Sequence, residues 1–147
     1  MASARGEEIW RTYNLAQLAE AYGAAGRISD GLDATAEALS LVQQNGETWW
    51  EAEIYRLRGE LLLKQNRTNS AEAQVSLKRA IEIAHKQGAK SLELRAMTNL
   101  ARLLAKWGKR DEALGRLSDI YNWFTEGFDT ADLKDAKALL DELSNLP

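Results

Sequence analysis

The sequence is poor in the residues that disulfides, metal sites and β-structure require. It has no cysteine, one histidine and one proline, and the proline is the last residue. Without cysteine the chain has no disulfide, no thiolate metal ligand and no cysteine nucleophile, which fits a reducing, cytoplasmic setting. Because the interior has no proline and valine is sparse, the composition favours an all-α fold over a sheet.

Long apolar runs are also missing. No segment approaches the roughly 18 consecutive apolar residues of a membrane span, and the first ten residues, MASARGEEIW, lack the apolar core of a signal peptide. The net charge of −3 is too balanced to suggest nucleic acid as the main partner. We therefore expect no membrane and no nucleic-acid partner, and a single domain over residues 1–147.

Catalytic arrangements are absent as well. With His85 as the one histidine, no histidine-based metal cluster and no Ser–His pair can form within the chain. The glycine-containing stretch AYGAAGR at residues 21–27 lacks the lysine and Ser/Thr of a P-loop. Neighbouring carboxylates such as Asp141 and Glu142 point to different sides of a helix. We expect no enzyme, no cofactor and no metal.

What the sequence does contain is a repeat of about forty residues. Three segments can be placed in register: IWRTYNLAQLAEAYGAAG from residue 9, WWEAEIYRLRGELLLKQN from residue 49 and SLELRAMTNLARLLAKWG from residue 91. Large residues recur around one small residue, which on a helix forms an apolar face with a notch for close approach. The matching sets are Trp10, Trp50 and Leu92; Leu15, Tyr55 and Met97; Ala19, Gly59 and Ala101; and Tyr22, Leu62 and Leu104.

Each segment is followed by a turn and a second amphipathic segment. The second segments end near Gly46, Gly88 and Gly127, where glycine can adopt the left-handed conformation of a helix cap. The sequence therefore predicts three helical hairpins over residues 8–46, 48–88 and 90–126. Matching positions of the second helices are Gly31, Ala73 and Ala113; Thr35, Leu77 and Leu117; and Ala38, Ala80 and Ile120.

A last helix is predicted over residues 129–144. Leu133, Ala136, Leu140 and Leu143 form its apolar stripe, as expected of a helix that caps the end of a repeat array. Three aromatic residues precede it, and we expect them to pack beneath the helix as a latch, with an exposed binding hot spot as the alternative. They are Trp123, Phe124 and Phe128.

The repeat resembles the tetratricopeptide repeat (TPR), with the family's sequence of large, leucine, small, tyrosine and glycine positions followed by alanine in the second helix. The residues that carry the resemblance in the first copy are Leu15, Leu18, Ala19, Tyr22, Gly26 and Ala38. The period exceeds that of the usual TPR, as in the long-repeat variants of bacterial regulators. The resemblance implies a right-handed superhelix of three hairpins plus a capping helix.

A second resemblance covers roughly residues 49–143. The stretches SLELRAMTNLARLLAKWGKRDEAL and GFDTADLKDAKALLDEL look like the C-terminal TPR array of bacterial signalling proteins that carry an AAA or STAND ATPase with a nucleotide cyclase or a LuxR-type domain. This implies that the chain is the sensor or scaffold end of a longer signalling protein, or a free-standing relative.

The TPR resemblance also implies a concave groove lined by the first helices, which would bind a protein or peptide. The positions that match the groove are Tyr13, Gln17 and Glu20 in the first copy, Glu53, Arg56, Glu60 and Lys64 in the second, and Arg95, Thr98, Asn99, Arg102 and Lys106 in the third.

Three of these residues, Arg95, Asn99 and Arg102, share one helix face and could hold a partner's carboxylate. Pairing of Glu60 with Arg56 or Arg102 is the alternative. We expect a non-catalytic scaffold. Two alternatives are a sensor region of a larger ATPase, cyclase or transcriptional regulator, and self-association through an uncapped first hairpin that begins near Ile9 and Trp10.

Overall fold

A computed structural model of the chain describes residues 4–46 and 48–145, with their side chains except at 4–9 and 67. These residues are mostly helical and contain no strand, which confirms the all-α class. The seven α-helices that they form are α1 (Ala4–Ala24), α2 (Ile28–Asn45), α3 (Glu51–Gln65), α4 (Ser70–Gln87), α5 (Lys90–Lys106), α6 (Arg110–Tyr121) and α7 (Ala131–Ser144), with a short 3-10 turn (Arg67–Asn69) before α4.

The chain divides into two compact units, an N-terminal unit of residues 1–80 and a C-terminal unit of residues 81–147. The boundary falls within α4. In the N-terminal unit α1 packs against α2, α2 packs against α3, and α1 also contacts α3. In the C-terminal unit α5 packs against α6, α6 packs against α7, and α5 also contacts α7. The two units therefore share one packing scheme of three successive helices.

The core of the N-terminal unit is built mainly from small residues of α1 and α2 and larger residues of α3. One cluster combines Ala16, Ala38, Val42, Ile54 and Leu57, and a second combines Ala19, Ala34 and Leu61. Alanines on α1 and α2 bring the two backbones close together, and the branched side chains of α3 fill the remaining space.

Glycine at the notch of the repeat permits close helix contact. A Cβ added at Gly59 would lie 2.8 Å from Cγ of Leu77 and 3.3 Å from the carbonyl oxygen of Ala73. In the first hairpin a Cβ at Gly31 would lie 3.3 Å from the carbonyl oxygen of Ala19. In the repeat register Gly59 corresponds to Ala19, and Ala73 corresponds to Gly31. The contact between Gly59 and Ala73 in the second hairpin is therefore the equivalent of the contact between Ala19 and Gly31 in the first.

Helix ends occur where the sequence predicted left-handed glycines. Gly46 has φ 70° and donates its N–H to Val42 at 2.9 Å, and Gly88, with φ 69°, follows the last residue of α4. Gly127 also has positive φ, but α6 already ends at Tyr121, so the second helix of the third hairpin is shorter than predicted.

The apolar stripe of α7 is buried as expected. Leu133, Ala136, Leu140 and Leu143 are buried, and Leu139 joins them. Because α7 contacts both α5 and α6, this stripe contributes to the buried apolar core of the C-terminal unit.

Candidate partner-binding face

The helices α1 and α3 of the N-terminal unit border a shallow cleft. Its volume is about 190 Å³. Its lining combines a floor of small and aliphatic residues with a charged rim, and it consists of Ala19, Glu20, Gly23, Ala24, Leu57, Glu60, Leu61 and Lys64. Three of the predicted groove residues, Glu20, Glu60 and Lys64, are therefore brought together around one cleft.

The charges on this rim are only partly satisfied. Oε1 of Glu60 lies 3.1 Å from Nη1 of Arg56, one turn earlier on α3. Glu20 and Lys64 make no ion pair within the part of the chain that the structure describes. A Cβ added at Gly23 would lie 2.9 Å from Cδ2 of Leu61, so this glycine sets how closely α1 approaches the cleft floor. The cleft can accept a small apolar side chain beside a carboxylate and an ammonium group.

Two further groove candidates on α3 are buried and are not accessible to a partner. Glu53 is 7% exposed and Arg56 is 6% exposed. Nε of Arg56 donates to Oε2 of Glu53 at 3.0 Å, and Nη2 of Arg56 donates to Oε1 of Glu53. A charge removed from water requires a partner of this kind, and the two side chains belong to the interior of the unit. A partner therefore cannot contact Glu53 or Arg56.

Aromatic side chains lie at the other end of the same helices. Tyr13, a predicted groove residue on α1, packs against Trp50 with ring centroids 5.0 Å apart. On its other side Tyr13 meets Trp10 edge to face at 5.9 Å. Gln17 follows one turn later on α1 and is exposed.

In the C-terminal unit the predicted carboxylate-binding arginines hold carboxylates of the chain itself. Arg95 donates through Nε and Nη2 to the two carboxylate oxygens of Asp132, at 3.1 and 2.9 Å. Nη2 of Arg102 donates to Oδ1 of Asp135 at 2.5 Å. Residues 95 and 102 are two turns apart on α5, and residues 132 and 135 are one turn apart on α7. The arginine face therefore binds carboxylates, as its spacing suggested, but the last helix supplies them.

Three other candidates lie on α5. Thr98 is buried and donates its hydroxyl to the carbonyl of Leu94 at 2.8 Å, so it is not available to a partner. Asn99 is half-buried and Lys106 is exposed. Nothing in the sequence pattern distinguished Thr98 from the half-buried Arg95 and Asn99, because a threonine can satisfy its hydroxyl on its own helix at almost any position.

The aromatic residues before α7 do not form the expected latch. Trp123 is 58% exposed and Phe128 is 46% exposed. Trp123 meets Phe124 edge to face at 5.2 Å and lies 5.7 Å from Nζ of Lys90. The expectation that these rings pack beneath α7 is wrong for Trp123 and Phe128, which are exposed; the ring of Phe128 lies 5.7 Å from that of Tyr121 on α6, and Phe124 is half-buried.

The described residues contain neither a metal-binding cluster nor a membrane-spanning helix. Among residues 4–46 and 48–145, no three His, Asp or Glu side chains are grouped as a metal ion would require. Over the same ranges, no helix combines the length and apolar character needed to cross a membrane.

Comparison with known proteins shows no family for this chain. No protein-family model matches the chain, and no solved structure matches it. An uncharacterized protein of Rhizobium meliloti (strain 1021) is 33% identical over 81 residues. The match covers 55% of this chain but only 8% of the relative's length, so the relative is many times longer than the matched segment.

Proposed function

We propose that this chain is a non-catalytic, TPR-like interaction module that binds a peptide or helix on the face formed by α1 and α3. The observation that carries the proposal is the cleft between these helices, with an apolar floor and with Glu20 and Lys64 unpaired within the described residues. An apolar pocket with a few charged groups at its rim is the usual form of a peptide-binding groove.

The packing of the helices supports the TPR-like part of this proposal. In a stacked array of hairpins, each first helix contacts its own second helix and the next first helix, and each second helix contacts the next first helix. The N-terminal unit shows this set of contacts for α1, α2 and α3, and the C-terminal unit shows it for α5, α6 and α7. A right-handed superhelix is the corresponding proposal for the arrangement of the whole chain.

The surface of α1 weighs against the alternative in which copies stack through the first hairpin. On α3 and at its N-cap, the positions that pack on the preceding helices are Trp50, Ile54, Leu57 and Leu61. The matching positions of α1 in the repeat register are Trp10, Asn14, Gln17 and Ala21; all four are exposed, and Trp10 is the large apolar one among them. Three of the four matching positions therefore lack the apolar side chains that a hairpin stacked on this face would bury.

A random peptide library displayed on phage tests the proposed function. Peptides enriched on the wild-type protein should bind three- to about tenfold more weakly to Glu20→Lys or Lys64→Glu, because each reversal changes the charge at the cleft rim. Asp33→Lys is the matched control, since Asp33 is exposed on α2, away from the cleft lining. The proposal fails if no peptide is enriched, or if the enriched peptides bind all variants equally.

A second candidate function is the regulatory end of a longer signalling protein in the cytoplasm. One observation favours it: the Rhizobium relative is many times longer than the segment it shares with this chain. An antibody to this segment, used on lysate of the source cells, should detect a polypeptide much larger than 16.4 kDa. A band near that mass would instead favour a free-standing adaptor.

A further inference from the structure

The N-terminal unit exposes a patch of aromatic rings at one end of its binding face. The aromatic patch consists of Trp10, Tyr13 and Trp50, whose rings contact one another in series, and of Trp49, the neighbour of Trp50 in the sequence. Trp10 is 67% exposed and Trp49 is 73% exposed, while Tyr13 and Trp50 are half-buried. Tyr13 lies between Trp10 and Trp50, and its contacts with both are edge-to-face or tilted. Because Trp10 and Trp49 are mostly exposed, a partner's ring can pack on them.

The size of the aromatic patch suits a peptide better than a second copy of the chain. A buried tryptophan contributes roughly 150–250 Å², so Trp10 and Trp49, about two thirds exposed, present roughly 300 Å² together. A stable interface needs about 800 Å² from each partner. Among the described side chains of α1, Leu18 adds one apolar residue that is 42% exposed, while the exposed Asn14, Gln17 and Ala21 are polar or small. A small aromatic patch within a polar surface is typical of a site for one extended segment.

The charges beside the patch favour a basic partner. Glu51 follows Trp50 directly at the start of α3, and Glu20 lies farther along α1. Neither carboxylate forms an ion pair within the described residues. Of the described cations on this face, Arg11 already contacts Glu37, and Lys64 lines the same cleft as Glu20. A partner that carries positive charge would therefore meet two available carboxylates.

We propose that the aromatic patch binds a proline-rich segment whose basic side chains reach Glu51 and Glu20. Proline rings pack on aromatic faces, and the polyproline II helix is already extended before it binds, which limits the entropy lost on binding. Glu20 is seven residues beyond Tyr13, or about 10 Å along α1, close to the roughly 9 Å of one polyproline II turn. A basic residue one turn beyond a proline that packs on Tyr13 would therefore lie near Glu20. This inference rests on the proposed interaction function, for which it specifies the partner.

Three synthetic peptides test the inference on the full chain: repeated Pro-Pro-Arg, repeated Pro-Pro-Glu and repeated Gly-Ser-Arg. Calorimetry and tryptophan fluorescence would report binding. The Pro-Pro-Arg peptide should bind, and the other two should bind at least about tenfold more weakly, because one lacks the matching charge and the other lacks proline rings. Trp10→Ala and Glu51→Lys should each lower the affinity of the protein for the Pro-Pro-Arg peptide by about tenfold.

Trp123→Ala is the matched control, because Trp123 is also an exposed tryptophan but lies in the C-terminal unit, and it should leave the affinity unchanged. Circular dichroism would confirm that each variant keeps its helical content. The inference is overturned if the Pro-Pro-Arg and Gly-Ser-Arg peptides bind equally, if none binds, or if sedimentation shows self-association that Trp10→Ala abolishes. Library peptides without proline that still depend on Glu20 and Lys64 would overturn this inference and leave the proposed function standing.

Discussion

The two units of the molecule share a packing scheme but use the polar face of their first helices differently. In the N-terminal unit the cleft beside α1 and α3 has unpaired charges within the described residues, and aromatic rings are exposed nearby. In the C-terminal unit α7 supplies Asp132 and Asp135 to the two arginines of α5. The same helix arrangement can therefore present an open face or one closed by its own ion pairs, and the side chains decide which.

The largest difference between the units should appear in their ion pairs. Arg56→Met should destabilise the protein by about 3–5 kcal/mol, because it leaves Glu53 buried beside an apolar side chain. Arg102→Met, the matched change in the C-terminal unit, should cost no more than about 1 kcal/mol, because Arg102 and Asp135 are both exposed. Urea unfolding measures both. Equal losses of unfolding free energy in the two variants would show that burial does not make the Arg56 ion pair more important than the Arg102 ion pair.

The next effect concerns the notch of the second hairpin. Gly59→Ala should destabilise by about 1–3 kcal/mol, since its Cβ would overlap Leu77 at 2.8 Å. Gly115→Ala on α6 is the control, because no atom lies within 4 Å of its added Cβ. That change should stabilise by about 0.5–1 kcal/mol through helix propensity. Thermal unfolding of the two variants should therefore shift in opposite directions, and a shift in the same direction would contradict the close approach at Gly59.

A smaller effect is expected at the contact that closes the arginine face. A double-mutant cycle of Arg95→Gln and Asp132→Asn should give a coupling energy of about 1 kcal/mol, because the pair is bidentate but partly exposed. The coupling should fall in high salt. Lys137 and Asp141, an exposed pair within α7, provide the comparison and should couple more weakly. A coupling near zero at Arg95 would mean that α7 does not occupy this face in solution.

The smallest effect concerns the aromatic residues before α7. Trp123→Ala should cost less than about 1 kcal/mol, because the ring is mostly exposed and contacts Lys90 and Phe124. Leu133→Ala, in the buried stripe of α7, should cost about 2–5 kcal/mol. Calorimetric unfolding distinguishes the two, and a loss at Trp123 as large as that at Leu133 would restore the latch interpretation.

Much of the fold could be predicted from the sequence because the repeat encodes burial directly. The small residues at 19, 59 and 101 and the apolar stripe of α7 predicted which faces would be buried. Left-handed glycines likewise marked the ends of α2 and α4. These features are local, so their spacing along the chain is enough to reveal them.

The candidate site was harder to predict because it depends on which charges meet across helices. Spacing placed Arg95 and Arg102 on one face, but it could not show that Asp132 and Asp135 would lie opposite them. It also could not show that Arg56 would turn toward Glu53 and become buried. A long charged side chain can reach either solvent or a partner from the same helix position, so periodicity alone does not decide its role.

The most direct test of the account is chemical-shift mapping of a library-selected peptide on the isotope-labelled protein. We expect the largest changes at α1 and α3, around Tyr13, Gln17, Glu20 and Lys64, because that face has exposed rings and unpaired charges. The amides around Arg95 and Arg102 should change little, since α7 already occupies their side chains. Largest changes on α5 and α7 would contradict the assignment of the binding face to the N-terminal unit.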